Sequence, residues 1–92
     1  MLSQRINELR LTNGWSQVQL AKKLNVTKQT VSNWENDNIQ PSIDMLVRLA
    51  KAFNVTTDYL LGLENIPRLN VDGLPLNVVS HLSQLIDDFR WK

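Results

Sequence analysis

The sequence predicts an all-α fold, and three observations support that prediction. Apolar residues recur every three or four positions in several separate segments, which is the spacing of one face of an α-helix. Serine or threonine precedes most of these segments, in the position of a helix N-cap. Asparagine or glycine follows most of them, as expected where the chain leaves a helix in a left-handed conformation.

The first helix is predicted over residues 3–13, with Gly14 as its left-handed stop. Its apolar face consists of Leu2, Ile6 and Leu9. The second helix follows Ser16, which fits a capping box with Gln19, and it ends at Asn25. Its apolar face consists of Leu20, Ala21 and Leu24.

The third helix is predicted to start after Thr27, with Val31 and Trp34 on its buried side. Its other positions carry ammonium, amide and hydroxyl groups: Lys28, Gln29, Thr30, Ser32 and Asn33. Amides can bond both edge atoms of adenine, and lysine can donate to guanine. A short polar helix held against a partner helix therefore suits the major groove of DNA, although a polar solvent-facing surface is the alternative interpretation.

Two further helices are predicted before residue 63. The fourth begins after Ser42 and ends at Asn54, and its apolar face consists of Ile43, Leu46, Val47, Leu49, Ala50 and Phe53. A short fifth helix is capped by Thr56 or Thr57 and ends at Leu61.

The remaining chain divides into a linker at 64–74 and a C-terminal amphipathic helix at 75–92. Within the linker, Leu69-Asn70-Val71 alternates in polarity and is a candidate for a very short strand. The apolar stripe of the helix consists of Val78, Val79, Leu82, Leu85, Ile86 and Phe89. An isolated helix of about fifteen residues is marginal in water, so this stripe must pack on something. It can fold back on the first five helices, dock a partner protein, or pair with a second copy; pairing is favoured because those helices already have a full set of core positions.

Charge and composition exclude several classes of protein. The net charge is only +1, but residues 1–34 hold five basic residues and one acidic residue, whereas residues 35–92 hold five basic and eight acidic residues. Positive charge is thus concentrated near the third helix, as a DNA-binding surface requires. The absence of cysteine excludes disulfides, and the absence of a long apolar run or a signal peptide predicts a cytoplasmic protein without membrane contact.

Neither catalysis nor a cofactor is expected. His81 is the single histidine, and Asp87 lies six positions further along the same helix, so the two side chains point to different faces. With no second histidine and no cysteine, a metal site is not expected either. The sequence also lacks a glycine-rich phosphate loop, and no small-molecule ligand is evident.

Residues 1–63 resemble the Cro/phage-repressor type (XRE family) of helix-turn-helix domain, a compact five-helix, lambda-repressor-like DNA-binding fold. The matching residues are Gln17, Leu20-Ala21, Leu24-Asn25-Val26, Val31-Ser32-Asn33-Trp34-Glu35-Asn36, Pro41, Leu46, Leu49-Ala50, Val55 and Asp58-Tyr59-Leu60-Leu61-Gly62. The sequence departs from the family pattern at Asn25, where glycine is usual, and at Gln40, where many members have a basic residue.

The resemblance implies two sets of DNA contacts. Base reading falls to Lys28, Gln29 and Asn33, with Thr30 and Ser32 as further candidates. The residues implied at the DNA backbone are Gln17, Thr27, Arg10, Asn36 and Asn38. It further implies that Arg10 pairs with Glu35, which would tie the first helix to the third.

The function implied is that of a sequence-specific regulator of transcription that binds double-stranded operator DNA, most simply as a repressor. A homodimer joined by the C-terminal helix would place two recognition helices on successive major grooves, about 34 Å apart. The alternative is a protein-interaction module, such as an antitoxin or adaptor, built on the same fold.

Overall fold

The computed structural model describes residues 1–68 and 71–90, and the described residues form six helices without a strand. The helices are α1 (Leu2–Thr12), α2 (Gln17–Leu24), α3 (Lys28–Glu35), α4 (Ile43–Phe53), α5 (Thr57–Leu60) and α6 (Leu76–Arg90). The all-α prediction is therefore confirmed. A very short strand was considered at 69–71, but Val71 is not in a strand, and Leu69 and Asn70 lie outside the described residues. Trp91 and Lys92 of the predicted C-terminal helix also lie outside the described residues.

Hydroxyl side chains start four of the helices. Ser16 Oγ accepts a hydrogen bond from the backbone N–H of Gln19 at 3.1 Å, and Gln19 Oε1 accepts from the N–H of Ser16 at 2.8 Å, which completes the capping box. Thr27, Ser42 and Thr56 cap α3, α4 and α5 in the same way, each through the N–H three residues further on. Each hydroxyl satisfies one backbone donor that the first turn of its helix cannot.

Asparagines end two of the helices in the left-handed conformation. Asn25 and Asn54 both have φ of 57°, at the ends of α2 and α4. Several boundaries differ by one residue from the sequence-based prediction: α1 begins at Leu2 and ends at Thr12, before Gly14 (φ 73°), α5 ends at Leu60, and α6 begins at Leu76. Helix ends fray, so shifts of this size leave the architecture unchanged.

Among the described residues, the buried core lies within the first five helices. Its buried residues are Ile6, Leu20, Ala21, Leu24, Val31, Trp34, Leu49, Ala50, Phe53 and Leu60. The ring of Trp15 stacks on that of Phe53 at 5.8 Å between centroids, which joins the start of α2 to the end of α4. Because α2 packs on both α3 and α4, and α1 packs on α3, the position of α3 is fixed within the bundle.

Helix α6 contributes nothing to this core. None of its residues is buried, and Leu85 and Phe89 are 54% and 71% exposed. The apolar stripe predicted from the sequence is thus present on a helix whose apolar face stays largely open to solvent.

Candidate nucleic-acid interface

Helix α3 has a buried apolar side and an exposed polar side. Val31 and Trp34 face the core at 0% and 4% exposure. On the other side Lys28 and Gln29 are exposed, and Asn33 is half-buried. Thr30 and Ser32 are half-buried as well. The five candidates for base reading are therefore all on the accessible part of one short helix.

Two polar side chains of α3 are hydrogen-bonded to each other. Gln29 Nε2 donates to Asn33 Oδ1 at 3.0 Å, across one turn of the helix. This bond uses one donor of Gln29 and the carbonyl of Asn33, and it leaves the Gln29 carbonyl and the Asn33 amide nitrogen for other partners. An acceptor and a donor placed side by side match the donor and acceptor that adenine presents in the major groove.

Four of the five residues considered for contact with the DNA backbone lie around the ends of α2 and α3, and the fifth, Arg10, lies on α1. Gln17 is the first residue of α2, and Thr27 is the N-cap of α3, where its hydroxyl also lies 2.9 Å from that of Thr30. Asn36 and Asn38 flank Asp37, whose φ of 59° turns the chain sharply after α3. Both asparagines are exposed, so their amides are accessible.

Arg10 and Glu35 form the ion pair that the family resemblance implied. Arg10 Nε and Nη2 donate to the two oxygens of Glu35 at 2.7 and 3.0 Å, and Arg10 Nη1 donates to the carbonyl of Trp15 at 2.9 Å. The side chains are 11% and 4% exposed. With all three of its nitrogens engaged, Arg10 acts first as a link between α1, the α1–α2 turn and α3.

Two further side chains reach the same carboxylate, and sequence reasoning missed both contacts. Asn7 Nδ2 donates to Glu35 Oε1 at 2.8 Å, and Gln17 Nε2 donates to the same oxygen at 3.3 Å. Asn7 lies three residues before Arg10, so the two side chains share a side of α1. This spacing is the signal in the sequence that could have placed Asn7 near Glu35.

The surroundings of Glu35 set its protonation. Burial opposes ionisation and is the largest single effect on the carboxyl group. Hydrogen bonds from Arg10, Asn7 and Gln17, together with the charge of Arg10, outweigh it and hold the pKa of Glu35 below its ordinary value. The hydrogen bond to Glu35 in turn raises the pKa of Arg10, against the opposing effect of burial.

Part of the positive charge lies away from α3. Lys23, Arg48 and Lys51 line a cleft of about 450 Å³ between α2 and α4. Lys23 Nζ also lies 4.5 Å from the centre of the Trp15 ring. The charge excess of residues 1–34 is therefore only partly placed at the candidate interface, because Lys23 faces this cleft and Arg10 is paired.

The described residues contain neither a membrane-spanning helix nor a cluster of metal-binding side chains. No helix within 1–68 and 71–90 has the length and apolar character needed to cross a lipid bilayer. The same residues hold no group of three or more His, Cys, Asp and Glu side chains arranged for a metal ion. His81 is exposed on α6.

Known proteins that are similar to this chain share its helix-turn-helix fold. The family model described as helix-turn-helix matches residues 6–60. The HTH-type transcriptional regulator ImmR of Bacillus subtilis is 34% identical over 87 residues, which span 95% of this chain and 68% of the relative.

Two solved structures are also similar. The P22 c2 repressor in complex with a synthetic operator superposes with a TM-score of 0.63 and 30% identity, over 65% of this chain and 91% of the repressor. The SinR protein/SinI protein complex superposes with a TM-score of 0.63 and 27% identity, over 99% of this chain and 80% of the matched chain. The chain belongs to the helix-turn-helix transcriptional regulators of the Cro/phage-repressor type, a family of regulators rather than enzymes.

Proposed function

We propose that this chain is a sequence-specific repressor that binds double-stranded operator DNA as a homodimer and reads the major groove with α3. The observation that carries the proposal is the two-sided character of α3. Val31 and Trp34 anchor it to the core, while Lys28, Gln29 and Asn33 present a cation and two amides outward. These are the side-chain groups that discriminate guanine and adenine by their major-groove edges.

Contacts with the DNA backbone would fix the position and orientation of α3 on the duplex. Gln17 at the start of α2 places an amide and free backbone N–H groups where a phosphate can be bound. Asn36 and Asn38 would meet the sugar-phosphate chain beyond the other end of α3, with Thr27 near its start. Arg10 would contact a phosphate only through N–H groups that Glu35 and Trp15 leave over.

The homodimer proposal rests on α6. Its stripe of Val78, Val79, Leu82, Leu85, Ile86 and Phe89 has no buried member in a single copy of the chain. Pairing with a second copy would remove this apolar surface from water, at about 25 cal/mol per Å² buried. In this proposal residues 1–63 bind DNA, 64–74 act as the linker, and 75–92 join the protomers in the cytoplasm.

Selection of bound duplexes from a random DNA pool near physiological salt, followed by sequencing, tests the proposal. A two-fold symmetric motif with half-sites about one helical turn apart is the expected result. Recovery of a single asymmetric half-site would contradict the dimer. Recovery of no motif would contradict sequence-specific reading altogether.

A protein-interaction module is the second candidate, and one observation favours it. A matched structure that spans 99% of this chain is a complex between two different proteins, SinR and SinI, so a related chain binds a protein partner. In that case the exposed face of α6 would receive the partner. Sedimentation of the purified chain, alone and with DNA, separates the two candidates: an interaction module would remain monomeric and show no preference among duplexes.

A further inference from the structure

We propose that Asn7 is a positioning residue for DNA-backbone binding, which acts through Glu35 on Gln17. The inference rests on the proposed function, because it concerns how Gln17 is held ready for a phosphate. Asn7 lies on α1 and is half-buried, and its side-chain amide is directed at Glu35 rather than offered to DNA.

Three side chains donate four hydrogen bonds to Glu35, and these bonds divide unequally between the two carboxylate oxygens. Oε2 accepts from Arg10 Nε at 2.7 Å, whereas Oε1 accepts from Asn7 at 2.8 Å, Arg10 Nη2 at 3.0 Å and Gln17 at 3.3 Å. The Gln17 hydrogen bond is the longest of the four, and the Asn7 hydrogen bond is the shortest at the oxygen that Gln17 uses. The position of that oxygen, and hence of the Gln17 amide, is therefore set largely by Asn7 and Arg10.

Holding Gln17 in this way matters because an amide nitrogen carries two N–H groups. One N–H of Gln17 is directed at Glu35, and the second remains to be donated to a phosphate oxygen. A Gln side chain that is already oriented loses less conformational freedom when it binds than one that rotates freely in solution. Asn7 thus favours binding without touching DNA.

The choice of a neutral donor is also consistent with this role. Glu35 carries a negative charge close to the proposed path of the phosphates, and Arg10 offsets it. Asn7 engages Oε1 without adding a charge of either sign, so Gln17 can share the same oxygen. An aspartate at position 7 would remove the donor and place a second carboxylate beside Glu35.

The test is a double-mutant cycle on the affinity of the full chain for duplex DNA. Asn7→Ala is expected to raise Kd by about 3- to 10-fold on specific and unrelated duplexes alike, the range for removal of one hydrogen bond. In a Gln17→Ala background the same substitution should have no further effect. Asn7→Leu also removes the donor, but it keeps the bulk of the side chain and favours the helix. If the alanine variant folds poorly, the leucine variant replaces it and should show the same increase in Kd.

Asn13→Ala is the matched control, since Asn13 Nδ2 makes a 2.7 Å hydrogen bond to the carbonyl of Leu9 and does not contact Glu35. It should leave Kd unchanged. A second readout without DNA is the side-chain amide resonance of Gln17 in ¹H–¹⁵N spectra, which should shift in Asn7→Leu and stay in place in Asn13→Ala.

Two failures can be told apart. If the unmodified chain binds duplex DNA but the effects of Asn7→Ala and Gln17→Ala simply add, Asn7 does not act through Gln17 and the inference is overturned. If the unmodified chain binds no duplex at all, the proposed function fails first and the positioning role fails with it.

Discussion

Arg10 Nε donates to Glu35 Oε2 at 2.7 Å, and this ion pair joins α1 to the last residue of α3. Helix α3 is only eight residues long, and its buried residues are the apolar pair Val31 and Trp34. The ion pair adds a polar link that fixes the end of α3 at the α3–α4 loop. Stability and the proposed DNA binding by α3 therefore depend on the same side chains.

Removing one member of this pair should destabilise the fold. For Arg10→Met we expect a decrease of about 2–3 kcal/mol in the free energy of unfolding, somewhat below the cost for a fully buried pair. The reason is that Glu35 would keep its charge at 4% side-chain exposure. Urea unfolding followed by tryptophan fluorescence measures the decrease. The double variant Arg10→Met/Glu35→Leu should recover part of it, and a double variant less stable than either single one would contradict this account.

The pair should also make stability depend on pH. Since the pKa of Glu35 is lower in the folded chain than its ordinary value of 4.5, the ionised carboxylate stabilises the fold fully above that value. This contribution shrinks as pH falls below 4.5 and disappears once pH has dropped through the folded pKa. Unfolding midpoints of the unmodified chain and of Glu35→Gln should therefore differ most near pH 7 and converge in acid. A difference that is constant between neutral and acidic pH would rule out the linkage.

The left-handed end of α2 predicts opposite effects for two substitutions at the same site. Asn25 has φ of 57°, a conformation that costs most residues about 1–2 kcal/mol but costs glycine little. Asn25→Ala should thus destabilise the chain by about 1 kcal/mol, whereas Asn25→Gly should be neutral or slightly stabilising. Thermal unfolding by circular dichroism measures both. Asn36→Ala, at φ of −90°, is the control that lacks this backbone cost.

The proposed dimer predicts that a charge on the apolar stripe of α6 separates the protomers. Leu85 is 54% exposed in the single chain, so Leu85→Glu should leave the monomer folded and shift sedimentation from dimer to monomer. Gln84→Glu adds the same charge on the side of α6 away from the stripe and should leave the dimer intact. Equal dissociation by both variants would point to charge repulsion rather than to the stripe.

Local signals in the sequence account for most of the fold. We expected N-caps at Ser16, Thr27 and Ser42 because the first turn of a helix has unsatisfied backbone N–H groups that a nearby hydroxyl can accept from. We expected helix ends at Asn25 and Asn54 because few residues tolerate positive φ. Each of these requirements is settled by neighbours in the chain, and each was confirmed.

Tertiary contacts between polar side chains were harder to predict from the sequence. The bond from Asn7 to Glu35 spans 28 residues, and the bond from Gln17 to Glu35 spans 18. Apolar periodicity predicts which face of a helix is buried, but it does not specify which polar groups meet at the edge of that face. The Arg10–Glu35 pair was expected only because a resemblance supplied it, and the family assignment is now supported independently by the match over residues 6–60.

The division of labour between α3 and the start of α2 is the central claim, and one measurement tests it directly. Affinities for the selected duplex and for an unrelated duplex are compared for Lys28→Ala, Asn33→Ala and Gln17→Ala. The first two should lower the ratio of specific to non-specific affinity. The lost free energy of discrimination should be about 1–3 kcal/mol for each base that the variant no longer reads. Gln17→Ala should weaken both affinities equally and leave the ratio unchanged. If all three variants leave the ratio unchanged, α3 does not read the sequence of the DNA.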